Sequence, residues 1–432
     1  MNRLVILLIA LFFLNNCSLN ENSRIWKDKE KKLTTQSKLK KVFAEDKIEV
    51  QEFNQGLNLD LSLIKTNKKF IDNQNNFGSQ SYKGELGKIG TYKFSKLEEL
   101  NQINFKPLFL GNTIVFFDKR GSILKYDENQ KVLWKKNYYS KAEKKLNPIL
   151  QFANNDRSLV VADNLANYYV INLNNGELVW SKSNSAPFNS QIKIFKDRFF
   201  IIDFTNTLRC FSLKNGEELW SFQTEKSLIR SQKKLSIVIV KDTVYFNNSL
   251  GDISALNVND GSLIWQLPTQ KSTLYESSFS LETSDIIADE NNLFFSNNNN
   301  QFFSIDIKSG SFNWENKVNS NLRPTLVGNY LFTVSIEGYL VVTEKISGNI
   351  IRVTDIFKKF KAKKRAKIKP TGFVMGLNNI YLSTNNGRIL VIDVLTGKTK
   401  STLKIDNEKI SRPIILDKNL FVVKDKAIIK LN

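Results

Sequence analysis

One phrase, a polar turn ending in glycine with a tryptophan four residues later, recurs along this chain and constrains its fold more than any other feature. It reads NNGELVW up to Trp180, KNGEELW up to Trp220, NDGSLIW up to Trp265 and KSGSFNW up to Trp314; in ENQKVLW, up to Trp134, Gln130 stands in place of the glycine. The tryptophans recur every 40 to 49 residues. Two further copies, SGNIIR and TGKTKS, carry Arg352 and Ser401 in the tryptophan position. Recurrence at this period marks a repeat architecture, in which each copy buries its apolar face against its neighbours.

Within a copy the pattern is that of strands. DRFFIID, TLRCFSL and EELWSF follow one another around Cys210, and later copies repeat the series as TVYFNN, GDISALNV, GSLIW and as NIYLST, GRILVIDV, GKTKSTL. Short runs rich in Val, Ile, Phe and Tyr, broken by Asn, Asp and Gly, read as strands and hairpins. The NG, DG and SG pairs supply the positive φ that such turns require. About four strands per period is the blade of a β-propeller. Copies centred on Trp134, Trp180, Trp220, Trp265, Trp314, Arg352 and Ser401 make seven blades, and RPIILD, NLFVVK and KAIIKLN add three strands of an eighth. A ring with an incomplete last blade leaves an open edge. The expected fold is therefore all-β, an eight-bladed propeller of four-stranded antiparallel blades, closed by pairing an N-terminal strand with the C-terminal blade. Residues 47–53 (KIEVQEF) and 57–64 (LNLDLSLI) are the candidates for that strand, and seven blades is the alternative count. A position that accepts Trp, Arg and Ser reads as packing between blades, with ligand stacking as the alternative.

Composition narrows the chemistry. The chain of 432 residues contains no histidine, which removes Ser-His-Asp and Cys-His catalysis and histidine metal sites. It also argues against propellers of the WD40 type, whose repeat uses a Gly-His pair. No metal site, cofactor or catalytic residue is assigned. A net charge of +21 accompanies heavy use of Lys, Asn and Ile throughout, a background bias as much as a polyanion signal. Of the two cysteines, Cys210 lies mid-strand and reads as a buried, inert thiol.

The other, Cys17, ends an address. Residues 1–17 read MNRLVILLIALFFLNNC, with an apolar run over 4–14, too short to span a bilayer comfortably and suited to a signal peptide. Leu14 three positions before Cys17 resembles a bacterial lipobox, although Asn15 and Asn16 stand where small residues are usual. The resemblance implies acylation of Cys17; an uncleaved anchor or a soluble exported chain are the alternatives. Ser18 in place of Asp then implies passage to the outer membrane. Residues 18–45 are polar and Lys-rich and read as a tether, with a reach of roughly 30 Å if flexible. The propeller is assigned to 46–432.

These features together resemble BamB, the propeller lipoprotein family of the outer-membrane β-barrel assembly machinery, from about residue 70 to the end. The stretch FIDNQNNFGSQ at 70–80 is similar to a family segment before the first full blade, and GDISALNVNDGSLIW at 251–265 to the family's fourth blade. The resemblance implies a non-enzymatic scaffold on the periplasmic face of the outer membrane, monomeric outside its complex. Its partners would be the periplasmic domains of the barrel-inserting protein and other subunits of the machinery. It places contacts on two loops: SLIR at 227–230, with Leu228, Ile229 and Arg230, and SLE at 280–282, where only Glu282 keeps an acid of the family pattern. Both leave a Trp-bearing strand and so emerge on one face of adjacent blades. An apolar anchor beside an arginine is the usual make-up of an interface hot spot; an ordinary solvated loop is the bland alternative.

Two other readings compete. The repeat is shared with pyrroloquinoline-quinone dehydrogenases, but this chain has no cysteine pair and no defensible Ca²⁺ ligand spacing. Residues 356–370, IFKKFKAKKRAKIKP, place Lys358, Lys359, Lys361, Lys363, Lys364, Arg365, Lys367 and Lys369 between the sixth and seventh blades. Such a cluster could bind an anionic membrane surface or another polyanion, with a mobile solvated loop as the alternative. Nucleic acid is not expected as a partner of an exported chain.

Overall fold

The computed structural model describes residues 72–97, 105–155, 157–225, 233–269 and 281–432, all within the Gln51–Asn432 unit of the chain. Eight antiparallel sheets of four strands form a ring, an eight-bladed β-propeller. Blades 1 to 7 run in chain order over 108–136, 150–183, 193–223, 237–267, 287–316, 325–355 and 370–404. In each, the four strands pair in sequence order. First strands of neighbouring blades touch one another in blades 2 to 5 and so line the axis. The fourth strand stands at the rim, with most of its side chains exposed.

The middle strands explain why the sequence runs apolar there. A sheet covered on both faces needs apolar residues at consecutive positions rather than alternate ones. Val244 and Phe246 of blade 4 pack against Phe200 and Ile202 of blade 3, and Tyr245 on the other face packs against Phe295 of blade 5. The core is thus a series of contacts between blades.

Blade 8 combines the two ends of the described chain. Ile414–Leu416, Asn419–Lys424 and Ala427–Leu431 form its first three strands, and Lys88–Lys93 pairs antiparallel to Ala427–Leu431 as the fourth. The closing strand is therefore Lys88–Lys93 and not residues 47–53 or 57–64, which lie outside the described residues. The reason is local: KIGTYK buries Gly90 and Tyr92 and leaves Lys88, Ile89 and Lys93 exposed, the pattern of a rim strand. The segment with the weakest apolar alternation does the pairing.

Candidate functional site

The repeated phrase builds the seam between blades. The turn glycines Gly176, Gly216, Gly261, Gly310 and Gly348 have positive φ, from +70° to +76°, and each lies under the tryptophan of the preceding blade. A Cβ at Gly216 would lie 2.6 Å from Trp180, at Gly261 2.5 Å from Trp220, and at Gly310 2.6 Å from Trp265. Glycine is required there by conformation and by space. The indole Nε1 of Trp180, Trp220, Trp265 and Trp314 then donates to a carbonyl three residues before that glycine: Leu213, Val258, Ile307 and Lys345, at 2.9–3.2 Å. Arg352, buried, makes the same kind of bond from its guanidinium to the Leu395 carbonyl of blade 7. Trp134 does not: among the described residues its Nε1 is buried without a partner, and the corresponding carbonyl, Leu173, accepts from Lys125 Nζ at 3.0 Å. At the seam between blades 8 and 1 the sizes are exchanged. Gly90 sits on the rim strand, and Gln130, at φ +65°, fills the space from the turn.

Residues 75–79 lie along the axis. Asn75 is buried against three blades. Its Nδ2 donates to Gln191 Oε1, Ser236 Oγ, Ile237 O and Ile286 O at 3.0–3.2 Å, and its Oδ1 accepts from Lys193 Nζ at 2.8 Å. Phe77 lies between Arg323, which leads into blade 6, and Arg412, which leads into blade 8; the guanidinium carbons are 4.5 and 4.9 Å from its ring centre. Ser79 bridges Met375 in parallel and donates to Gly376 O at 2.8 Å. The segment therefore runs beside the inner strands, from their N-terminal ends at blades 3 to 5 to the C-terminal end of the inner strand of blade 7. Sequence reading singled out 70–80 only for a resemblance. Its role as an axial thread depends on partners more than 100 residues away, and no local pattern reveals them.

Charge collects around this thread. Asp285 accepts from Arg323 Nε at 2.6 Å and also pairs with Nη2. Burial opposes ionisation of Asp285, but Arg323, Lys233 and Arg412 outweigh it and hold the carboxyl at about 2. Lys233 Nζ donates to Asn321 O. Burial pushes Lys234 down to about 7 and Lys409 to about 8. Burial, and then the neighbouring Arg323 charge, also lower Arg412. Arg412 Nε donates to Phe373 O at 2.9 Å, and its stem fits only because residue 372 is glycine: a Cβ there would lie 2.5 Å from Arg412 Cβ.

Of the residues read as partner contacts, Leu228, Ile229, Arg230 and Ser280 lie outside the described residues, as does Cys17. Glu282 is described. Its carboxylate accepts from Asn321 Nδ2 of the neighbouring blade, its N–H donates to Asn298 Oδ1 at 2.9 Å, and it is half-buried. The connection between blades 6 and 7 contains a helical turn, Ala362–Arg365, pinned by buried Ile356, Phe357 and Ile368. Lys358, Lys359, Lys361, Lys363, Lys364, Lys367 and Lys369 are exposed, whereas Arg365 turns inward, 2.6 Å from Asp355 and over the Tyr339 ring. Cys210 is fully buried, and burial pushes its thiol up to about 12. Among the described residues no three acidic or cysteine side chains group in metal-ligating range.

Ring, seam and axial thread define an eight-bladed propeller built from pyrroloquinoline-quinone-type repeats. The family model described as outer membrane protein assembly factor BamB matches residues 119–354, and the chain belongs to that family. An uncharacterized protein of Rickettsia prowazekii is 20% identical over 305 residues, 68% of this chain and 70% of that protein. The outer membrane protein assembly factor BamB of Legionella pneumophila is 22% identical over 223 residues, 49% of this chain and 51% of that one. Among solved structures, BamB from Moraxella catarrhalis superposes with a TM-score of 0.67 at 13% identity, over 80% of this chain and 99% of that chain. The computationally designed protein Ika8 superposes with a TM-score of 0.59 at 13% identity, over 79% and 99%.

Proposed function

We propose that this chain is a non-enzymatic scaffold of outer-membrane protein assembly, held to the periplasmic face of the outer membrane by a lipid on Cys17. One ring face carries its contacts. The observation that supports this reading most is topological: the rim strands of blades 3, 4 and 6 end at Gln223, Leu267 and Asp355, each followed in the chain by the inner strand of the next blade, so these three strand ends lie at the same end of the ring. Leu228, Ile229 and Arg230 on the first connection, with Glu282 at the end of the second, are the proposed dock for the periplasmic domains of a barrel-inserting partner. Rim strands with exposed apolar side chains, such as Val132, Leu133, Leu178, Val179, Leu263 and Ile264, offer edges to which an extended client segment can add.

Affinity purification of the full chain from solubilised envelopes tests the reading. The expected result is recovery of barrel-assembly components with the wild-type chain and a several-fold lower yield with Arg230→Ala, since an interface arginine of this kind contributes about 2 kcal/mol or more. Recovery of the wild-type chain without any such component would overturn the scaffold role. An unchanged yield with Arg230→Ala would remove only that site.

A further inference from the structure

The charge inside the ring is a feature the scaffold role does not use. Lys193, Lys233, Lys234, Arg323, Lys409 and Arg412 face the axial thread or its surroundings, against Asp285 and Glu282 among the described side chains. Several of these cations have acceptors: Lys193 on Asn75, Lys233 on Asn321 O, and Arg323 on Asp285 through Nε and Nη2. Two donors do not. Among the described residues Arg323 Nη1 and Arg412 Nη2 are buried and meet no acceptor, and the Arg323 side chain as a whole is only 9% exposed. Both guanidinium groups lie against the one ring of Phe77. A water molecule would satisfy the donors but leave the excess of cations over Asp285 and Glu282 uncompensated. An oxyanion answers both demands, because guanidinium N–H groups match the oxygens of carboxylate and phosphate in geometry as well as charge.

We infer that the propeller axis holds a binding site for a small oxyanion, a phosphate or carboxylate group, clasped between Arg323 Nη1 and Arg412 Nη2 beside Phe77. Gly372 is part of the site, since it leaves the space through which the Arg412 stem reaches the axis. The source of the group is set by what can enter beside the thread: a free anion, a glycerophosphate headgroup or the carboxylate of a peptide end.

Isothermal titration of the folded chain with inorganic phosphate, glycerol phosphate and acetate, each at ionic strength fixed with sodium chloride, tests this. Saturable one-to-one binding of at least one of the three is expected. It should weaken at least tenfold in Arg412→Gln and in Arg323→Gln, and persist in the surface variant Lys363→Gln/Lys364→Gln. Phosphate alone, glycerol phosphate or acetate as the tightest ligand separates the three sources. Should either arginine variant fail to fold, Arg412→Lys replaces it, with a loss of affinity again expected, since the charge stays but the guanidinium fork that would hold the oxyanion is gone. No saturable binding of any of the three to the wild-type chain would overturn the inference. So would binding that disappears in the Lys363/Lys364 variant and survives in Arg412→Gln, since the surface loop would then hold the anion.

Discussion

At the scale of single residues, the seam tryptophans share one contact and differ in one bond. Trp180 and Trp134 both cover the turn glycine of the following blade, but only Trp180 has a carbonyl for its indole N–H. A phenylalanine keeps most of the packing and removes the donor. Trp180→Phe should therefore cost the net value of a hydrogen bond, about 1 kcal/mol, together with the Leu213 carbonyl left unpaired. Trp134→Phe loses no bond and removes a buried, unpartnered donor, so its hydrogen-bond contribution should be neutral or favourable. Urea denaturation of the two variants checks this, and equal losses would count against the assignment. Arg352 shows the same logic from the other side. It is not a degraded tryptophan but a donor of different shape, aimed at the same stretch of the next blade. This much was legible in the sequence, because the spacing of glycine and tryptophan repeats. The exchange at Gly90 and Gln130 was not, because it joins residues 40 positions apart whose identities reverse the rule.

At the scale of elements, legibility follows the number of copies. Seven blades were readable because each middle strand, buried on both faces, writes a continuous apolar run. The closing strand Lys88–Lys93 occurs once, contains a glycine at its bulge and exposes both its lysines, so it has neither repetition nor hydrophobicity to announce it. The axial thread is harder still, since its order derives from polar bonds to blades 3, 4 and 5. Asn75 is its anchor. Asn75→Ala would leave the Lys193 ammonium and the Ile237 and Ile286 carbonyls without their shared partner. A buried donor or acceptor that loses its partner costs about 1–3 kcal/mol. The expected outcome is a lower unfolding midpoint of that size, with faster amide exchange along the inner strands of blades 3 to 5. Asn75→Asp should lose less at the Lys193 contact, because its carboxylate still accepts from the ammonium. A variant as stable as wild type would mean that the thread is held elsewhere, at Phe77 or Ser79.

At the scale of the whole molecule, the lysine-rich connection between blades 6 and 7 gives the most direct prediction about orientation. The connection between blades 6 and 7 presents seven exposed lysines from a compact turn at the end proposed for partner contacts. Arg365 does not belong to that exposed set, since it holds Asp355 and covers Tyr339. A lysine near an anionic membrane surface contributes about 1 kcal/mol, and that contribution is screened within a Debye length of about 8 Å at physiological salt. If this end faces a membrane, replacing Lys358, Lys359, Lys363, Lys364 and Lys367 by Gln should sharply reduce sedimentation with anionic vesicles at low salt. It should change little at 0.5 M salt, where the wild type itself releases. Replacing Arg365 alone should instead lower stability, because it leaves Asp355 unpaired at the base of the loop, with a smaller effect on vesicle binding. The two variants thus separate a surface that touches lipid from one that merely folds the loop. Vesicle binding that is indifferent to the lysines would turn this end of the ring away from the membrane and leave it wholly to protein partners.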